Sequence, residues 1–202
     1  MAGLRSICVY CGSQPGQDRA YMQAAAVLGE AMGAGGIRLV YGGGAKGVMG
    51  AVADSVLAAG GTVTGIIPAF LIAKEASQQA LTRLSETIVT RDMHERKHAM
   101  FEQSDAFVAL PGGIGTLEEL IEIMTWAQLG QHEKPILLAN IGSFWDPLLT
   151  LIDHMRAEGF IHTGARVRPI VVNEAQEIVP ALLAHCEAAN GRAGDAATIA
   201  RL

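Results

Sequence analysis

The hydrophobic positions of this chain fall into two alternating kinds of segment. Short apolar runs occur at 6–10, 38–41, 62–67, 86–89, 106–110, 135–139 and 169–172. Several, such as Ala106-Phe107-Val108-Ala109-Leu110, are apolar without alternation, the pattern of strands covered on both faces. Longer stretches with helical periodicity lie between them, at 18–32, 47–59, 93–102, 116–129, 146–158 and 174–188. Strand and helix alternate from end to end, which predicts an α/β fold: a Rossmann-like, doubly wound parallel sheet in a single domain with right-handed crossovers. The domain is expected over 1–188, followed by a mobile tail over 189–202 that is rich in Gly and Ala and lacks a periodic face. Residues 68–84 read as a short helix and a loop.

Composition agrees with that reading. Of 202 residues, 50% are hydrophobic and 17% charged, so the chain is globular and long enough to bury a sizeable core. The net charge of −5 and the lack of a Lys/Arg block argue against non-specific nucleic-acid binding, which rests on clustered cations. No apolar run reaches the roughly 18–20 residues that span a bilayer, so no membrane partner is expected. The start, Met1-Ala2-Gly3-Leu4-Arg5, lacks a signal-peptide layout, and a cytoplasmic location is expected.

Cys8, Cys11 and Cys186 fit a reducing compartment. The Cys8-x-x-Cys11 spacing invites a zinc or redox reading, but no second pair at metal spacing follows. Cys8 lies inside a strand run instead of at a helix start, so both cysteines read as core packing.

Glycine turns carry the candidate chemistry. Cys11-Gly12-Ser13, then Gly42-Gly43-Gly44-Ala45-Lys46-Gly47, then Gly112-Gly113-Ile114-Gly115 each follow a strand. In an open parallel sheet all three share the carboxyl edge, where ligands bind. The third turn is the most informative. Pro111-Gly112-Gly113-Ile114-Gly115-Thr116-Leu117-Glu118-Glu119 runs from a strand into a helix, whose free amides and dipole suit a phosphate. Thr116 with Glu119 also reads as a capping box. Glu118 and Glu119 lie about 100° apart on the helix, so only one faces a pocket squarely.

Gly42-x-Gly44-x-x-Gly47 matches a dinucleotide fingerprint, yet the next strand ends Ile66-Ile67-Pro68 without the acid that holds ribose hydroxyls. Lys46-Gly47-Val48 is not a P-loop. Upstream, Met93-His94-Glu95-Arg96-Lys97 opens the helix before the strand that feeds the proline-glycine turn. Arg96 is the better anion ligand of its cationic pair because its planar fork matches phosphate or carboxylate.

Together, Cys11-Gly12-Ser13, Gly42-Gly43-Gly44-x-x-Gly47-x-Met49-Gly50, Met93-His94-x-Arg96-Lys97 and Pro111-Gly112-Gly113-x-Gly115-Thr116-x-x-Glu119 resemble the LONELY GUY family, with Thr125-Trp126-Ala127-Gln128-Leu129-Gly130 and Lys134-Pro135 continuing the likeness. These are cytokinin riboside 5′-monophosphate phosphoribohydrolases, long mislabelled as lysine decarboxylases. The resemblance implies hydrolysis of the N-glycosidic bond of an AMP-like nucleotide, N6-modified or AMP itself, to free base and ribose 5-phosphate. It implies Arg96 and Glu119 as the catalytic pair. It implies substrate binding by Gly112, Gly113, Ile114, Gly115 and Thr116, with Ser13, Gly43, Gly44, Glu75, Lys97, Glu118 and Thr125 around them. Glu75 is placed by its position after Ile67-Pro68, and Ala45 stands where the family often has Ser. A homodimer is implied as well. No cofactor and no metal are expected.

The residues suit that chemistry. Cleaving an N-glycosidic bond builds positive charge on the ribose ring. A carboxylate such as Glu119 can stabilise that charge, order the ribose hydroxyls or activate water. Arg96 can hold the phosphate or keep Glu119 ionised. Two other classes fit the same turns: a nucleotide sensor without turnover, and another hydrolase or transferase acting on a phosphorylated sugar.

Overall fold

A computed structural model of the chain describes residues 3–75, 78–161 and 168–199. Its first half runs β1 (Ser6–Tyr10), α1 (Arg19–Ala34), β2 (Arg38–Tyr41), α2 (Gly47–Ala58), β3 (Val63–Pro68), α3 (Ile72–Glu75), α4 (Gln78–Leu81) and β4 (Glu86–Thr90). The second half runs α5 (Met93–Glu102), β5 (Ala106–Ala109), α6 (Ile114–Gln128), β6 (Ile136–Ala139), α7 (Asp146–Ala157), β7 (Ile170–Val172) and α8 (Ile178–Ile199). Among the described residues the strands form one sheet in the order β4-β3-β2-β1-β5-β6-β7, every neighbouring pair parallel. This is the doubly wound sheet that the alternation predicts.

Period-two placement of side chains builds two cores from single strands. Ile7 and Val9 of β1 join a cluster with Leu28, Met32, Val52 and Leu182, under α1, α2 and α8. Cys8 and Tyr10 join Phe107, Leu120, Ile123 and Ile152, under α5, α6 and α7. Cys8 and Cys11 are both buried free thiols in opposite clusters, so each packs a different layer. Burial raises both of their pKa values.

Local signals set the ends. Asp18 and Asp92 cap α1 and α5 by accepting from the amides of Ala20 and Glu95, each at 2.9 Å. The stretch 68–84 becomes a 3-10 turn, Ala69–Leu71, followed by α3 and α4. Two expectations shift. α6 begins at Ile114, with Gly113 as its cap, so Thr116 sits inside the first turn and is not the cap. The presumed tail at 189–202 starts within α8, which continues to Ile199, and residues 200–202 lie outside the described ones.

The chain adds β2, β3 and β4 on one side of β1, then returns to place β5 on the other. The direction of winding therefore reverses between β1 and β5. The turns that leave these two strands meet there: the Gly12 amide donates to the Pro111 carbonyl at 3.1 Å. That junction is the expected ligand crevice of an open α/β sheet.

Candidate active site

A cleft of about 320 Å³ opens at this junction. One wall is the start of α6, Gly113 to Thr116 with Glu118 and Glu119. The opposite wall comes from α5, with Met93 and Arg96, and from the segment after β3, with Leu71 and Glu75. Cys11, Gly12, Ser13 and Met49 complete it.

Gly113 has extended backbone and no side chain to cap the helix. The first intrahelical bond runs from the Leu117 amide to the Gly113 carbonyl at 3.0 Å. The amides of Ile114, Gly115 and Thr116 precede that bond, and no side chain caps this helix start. An anion fits there, helped by the helix dipole. Thr116 is buried and folds back on the turn; a Cβ at Gly112 would lie 2.2 Å from its Oγ1, so only glycine permits the approach.

One helical turn further, Glu119 faces the cleft and Arg96 meets it from α5. Nη2 of Arg96 lies 3.8 Å from Glu119 Oε1, an ion pair too long to be a hydrogen bond. The same nitrogen donates to the Gly42 carbonyl at 3.4 Å, and Nη1 approaches Met93 Sδ at 3.7 Å. The remaining donor, Arg96 Nε, is buried without a partner, as is Glu75 Oε2. Burial pushes the Glu119 carboxyl up to about 7. Arg96 opposes that rise, Glu118 and Glu75 add to it, and Lys97 opposes it again. Arg96 therefore moderates the rise but does not hold Glu119 in the ordinary carboxylate range, as its pairing alone would do.

The neighbouring ion pairs tie the two helices together. Lys97 Nζ donates to Glu118 at 2.7 Å and to Glu122 at 3.1 Å. Consecutive residues of α5 thus pair with consecutive residues of α6.

Of the residues expected at the site, the cleft brings together Arg96, Glu119, Gly113, Ile114, Gly115, Thr116, Glu118, Glu75 and Ser13. Gly112 lines an adjoining recess of about 180 Å³ on the other side of Gly12 and Ser13, facing Tyr21 and Phe144. Lys97 does not line the cleft, because Glu118 and Glu122 hold its amine behind the wall. Gly43 packs on Ile67, and Gly44 faces a small hollow beside Asp54 and Arg83; neither lines the cleft. Thr125 is exposed, its hydroxyl donating to the Ile121 carbonyl at 2.7 Å. It lies roughly 13 Å along α6 from Thr116 at 1.5 Å per residue.

In and beside the cleft are groups that the sequence reading left out of the site. Gly42 supplies the carbonyl that orients Arg96. Met49, Leu71 and Met93 supply apolar wall. Met93 could have been found from its place one turn before Arg96, whereas Leu71 lies in a stretch without periodicity.

The chain is similar to known proteins. Residues 49–182 match a family model described as "Possible lysine decarboxylase". The chain is 44% identical over 179 residues to the cytokinin riboside 5′-monophosphate phosphoribohydrolase of Rhodococcoides fascians, covering 88% of this chain and 89% of that one. It is 47% identical over 175 residues to a phosphoribohydrolase of the same description from Oryza sativa subsp. japonica, covering 87% and 71%.

The chain belongs to the cytokinin riboside 5′-monophosphate phosphoribohydrolase family.

Its fold is wider than the family. The molybdenum cofactor binding protein of Rippkaea orientalis superposes with a TM-score of 0.65 over 90% of this chain and 97% of that one, at 21% identity, a likeness of fold alone. The decarboxylase description of the family model finds no support in the cleft of this phosphoribohydrolase relative. Pyridoxal phosphate chemistry needs a free lysine amine, and among the described residues no lysine lines the cleft.

Proposed function

We propose that this protein hydrolyses the N-glycosidic bond of adenosine 5′-monophosphates, N6-substituted ones among them, to free base and ribose 5-phosphate. The observation that carries the reading is the Arg96–Glu119 pair, buried one turn inside an uncapped helix start. The open amides of Ile114, Gly115 and Thr116 suit the 5′-phosphate. Glu119, a turn deeper, then lies beside the ribose. Ser13, Glu75 and Glu118 form the surrounding wall, while Lys97 acts from behind it.

As the bond to the base lengthens, positive charge grows on the ribose ring. Ionised Glu119 stabilises that charge and accepts a proton from the attacking water. With its carboxyl near 7, Glu119 is a stronger base than an exposed glutamate and is still substantially ionised at neutral pH. Arg96 limits the rise that burial imposes and keeps the carboxylate available. Activity should therefore climb with pH through about 7 to a plateau.

The test is direct. Purified protein is incubated with AMP and with isopentenyladenosine monophosphate, and free base is measured by chromatography. Base release that is lost in Glu119→Gln supports the reading. Release unchanged in Glu119→Gln removes the catalytic assignment, and tight binding without release replaces the enzyme by a nucleotide sensor.

We further propose a homodimer and a cytoplasmic location. The exposed apolar residues Ile114 and Ile121 of α6, with Leu129 at its C-cap, support the first, and three free cysteines support the second. No described helix is long and apolar enough to cross a membrane.

A further inference from the structure

A second cavity, of about 510 Å³, lies at the opposite edge of the sheet. Its wall comes from the residues that lead into β6 and β7, from Ala127 near the end of α6, and from α8. The catalytic cleft sits at the carboxyl ends of parallel strands, and this cavity sits at their amino ends. Ile114 of the one and Ala127 of the other are about 20 Å apart along α6, at 1.5 Å per residue.

Basic side chains from three elements line it: Lys134 before β6, Arg168 before β7, and His185 about two turns into α8. Glu133 is the one acid among the lining residues. In a chain of net charge −5 that is a local reversal of sign. Arg168 and His185 are exposed and belong to none of the ion pairs among the described residues. Lys134 Nζ donates to the Phe101 carbonyl at 2.7 Å and lies 3.9 Å from the centre of the Phe101 ring. An ammonium has three donors, so it can serve another acceptor.

The loop that carries Lys134 is fixed in place. His132 Nδ1 accepts from the Lys134 amide at 3.1 Å, so Nε2 holds the proton and donates to the Ile123 carbonyl at 2.9 Å. The same ring packs edge-on against Phe101 and Phe107, with centroids 5.2 and 5.8 Å away. Burial lowers the Lys134 pKa, and Glu102, Asp105 and Cys8 only oppose that fall. Asp105 is itself occupied, accepting from the amides of Arg5 and Ser6 and from the Ser6 hydroxyl, each at 3.0 Å. An anion in the cavity would offset the cost of a half-buried ammonium.

These groups sort the ligands. A cation is repelled, and a neutral molecule leaves a guanidinium and an ammonium without a counter-charge. A carboxylate fills one fork. A doubly charged phosphate has oxygens enough for a planar guanidinium, an ammonium and an imidazole from three sides. Pro135, Ile136, Pro169 and Ile170 add apolar wall, and the volume exceeds what a bare ion needs. We propose that this cavity binds a phosphate monoester with a compact apolar body, at a site separate from the catalytic cleft. The inference does not depend on the reading of that cleft.

His185 provides a local readout. The protein is labelled in its histidine rings, and the His185 signal, assigned with His185→Gln, is followed by NMR at constant ionic strength. Phenyl phosphate, inorganic phosphate, benzoate and phenol are added in turn. Phenyl phosphate should move the signal saturably, with a Kd below about 1 mM. Inorganic phosphate and benzoate should bind several-fold more weakly, and phenol should leave the signal in place. Arg168→Gln alters an exposed side chain, so the fold should persist, and the Kd for phenyl phosphate should rise about tenfold or more with loss of a charged donor. A still signal, or a Kd unchanged in Arg168→Gln, would overturn the site. Benzoate or inorganic phosphate binding as tightly as phenyl phosphate would overturn the monoester assignment. Phosphate held only in the cleft, some 20 Å away, would leave His185 unmoved and count against the proposal.

Discussion

Glu119 is placed where the fold would rather have a neutral group. Folding holds its pKa near 7 instead of the ordinary 4.5, mainly through burial. The protonated carboxyl thus favours the folded state. That contribution is complete below about pH 4.5 and is lost as the pH rises through 7; the gap corresponds to about 3 kcal/mol. Glu119→Gln, neutral at every pH, should abolish base release yet be more stable than the wild type at pH 8, by up to that amount. The advantage should fade towards pH 5, and urea unfolding at the two pH values checks it. Gly42 presents a second residue-scale case. A Cβ there would meet Arg96 Nη2 at 2.0 Å, the far end of a flexible side chain. Gly42→Ala should therefore fold with little change in Tm, while displacing the guanidinium and lowering kcat by more than about tenfold through misplacement of one catalytic group. The pairing of Arg96 with Glu119 was legible in the sequence because motif and chemistry agreed on those two residues. The Gly42 carbonyl was not, since a backbone acceptor leaves no residue-type signal.

Between α5 and α6, two parallel ion pairs decide how Arg96 approaches Glu119. Lys97 is only 11% exposed and holds two carboxylates of α6. Lys97→Met should cost about 1–3 kcal/mol, between an exposed pair and a fully buried one, measurable by thermal unfolding. It should also move the acid limb of the activity profile to higher pH, because Lys97 lowers the pKa of Glu119. Lys97→Arg should restore both. An unchanged profile in Lys97→Met would mean that Lys97 does not act on Glu119. At this scale the hydrophobic pattern gave the strands to within a residue or two, because buried parallel strands read as continuous apolar runs. The start of α6 was harder. Thr116 looked like the stronger cap, but Gly113, in extended backbone, takes that position and the helix starts at Ile114. Lys97 and Thr125 were expected at the ligand from their motifs alone. Their side chains instead bond to α6, which only the three-dimensional pairing of helices reveals.

Over the whole molecule, strand order places the chemistry. The reversal at β1 and β5 brings together turns about 100 residues apart, and a bond between Gly12 and Pro111 fastens them. Alternating segments predict such a sheet, though not the side chains that fill its crevice, which depend on the irregular stretch after β3. The surface yields one more expectation. Ile114 at the start of α6 is 82% exposed, and Leu129, which caps its end, is 68% exposed. If a second copy covers those residues, light scattering should give twice the chain mass, and Ile114→Lys should shift the protein towards monomer. The thiols of Cys8 in β1 and Cys11 just beyond its end offer a different kind of readout. Cys8 is sealed in the sheet, whereas Cys11 borders the cleft. Labelling of Cys8 becomes a clock for the opening of the molecule, and any extra slowing of Cys11 when nucleotide is added becomes a gauge of occupancy, so two thiols three residues apart carry their own control.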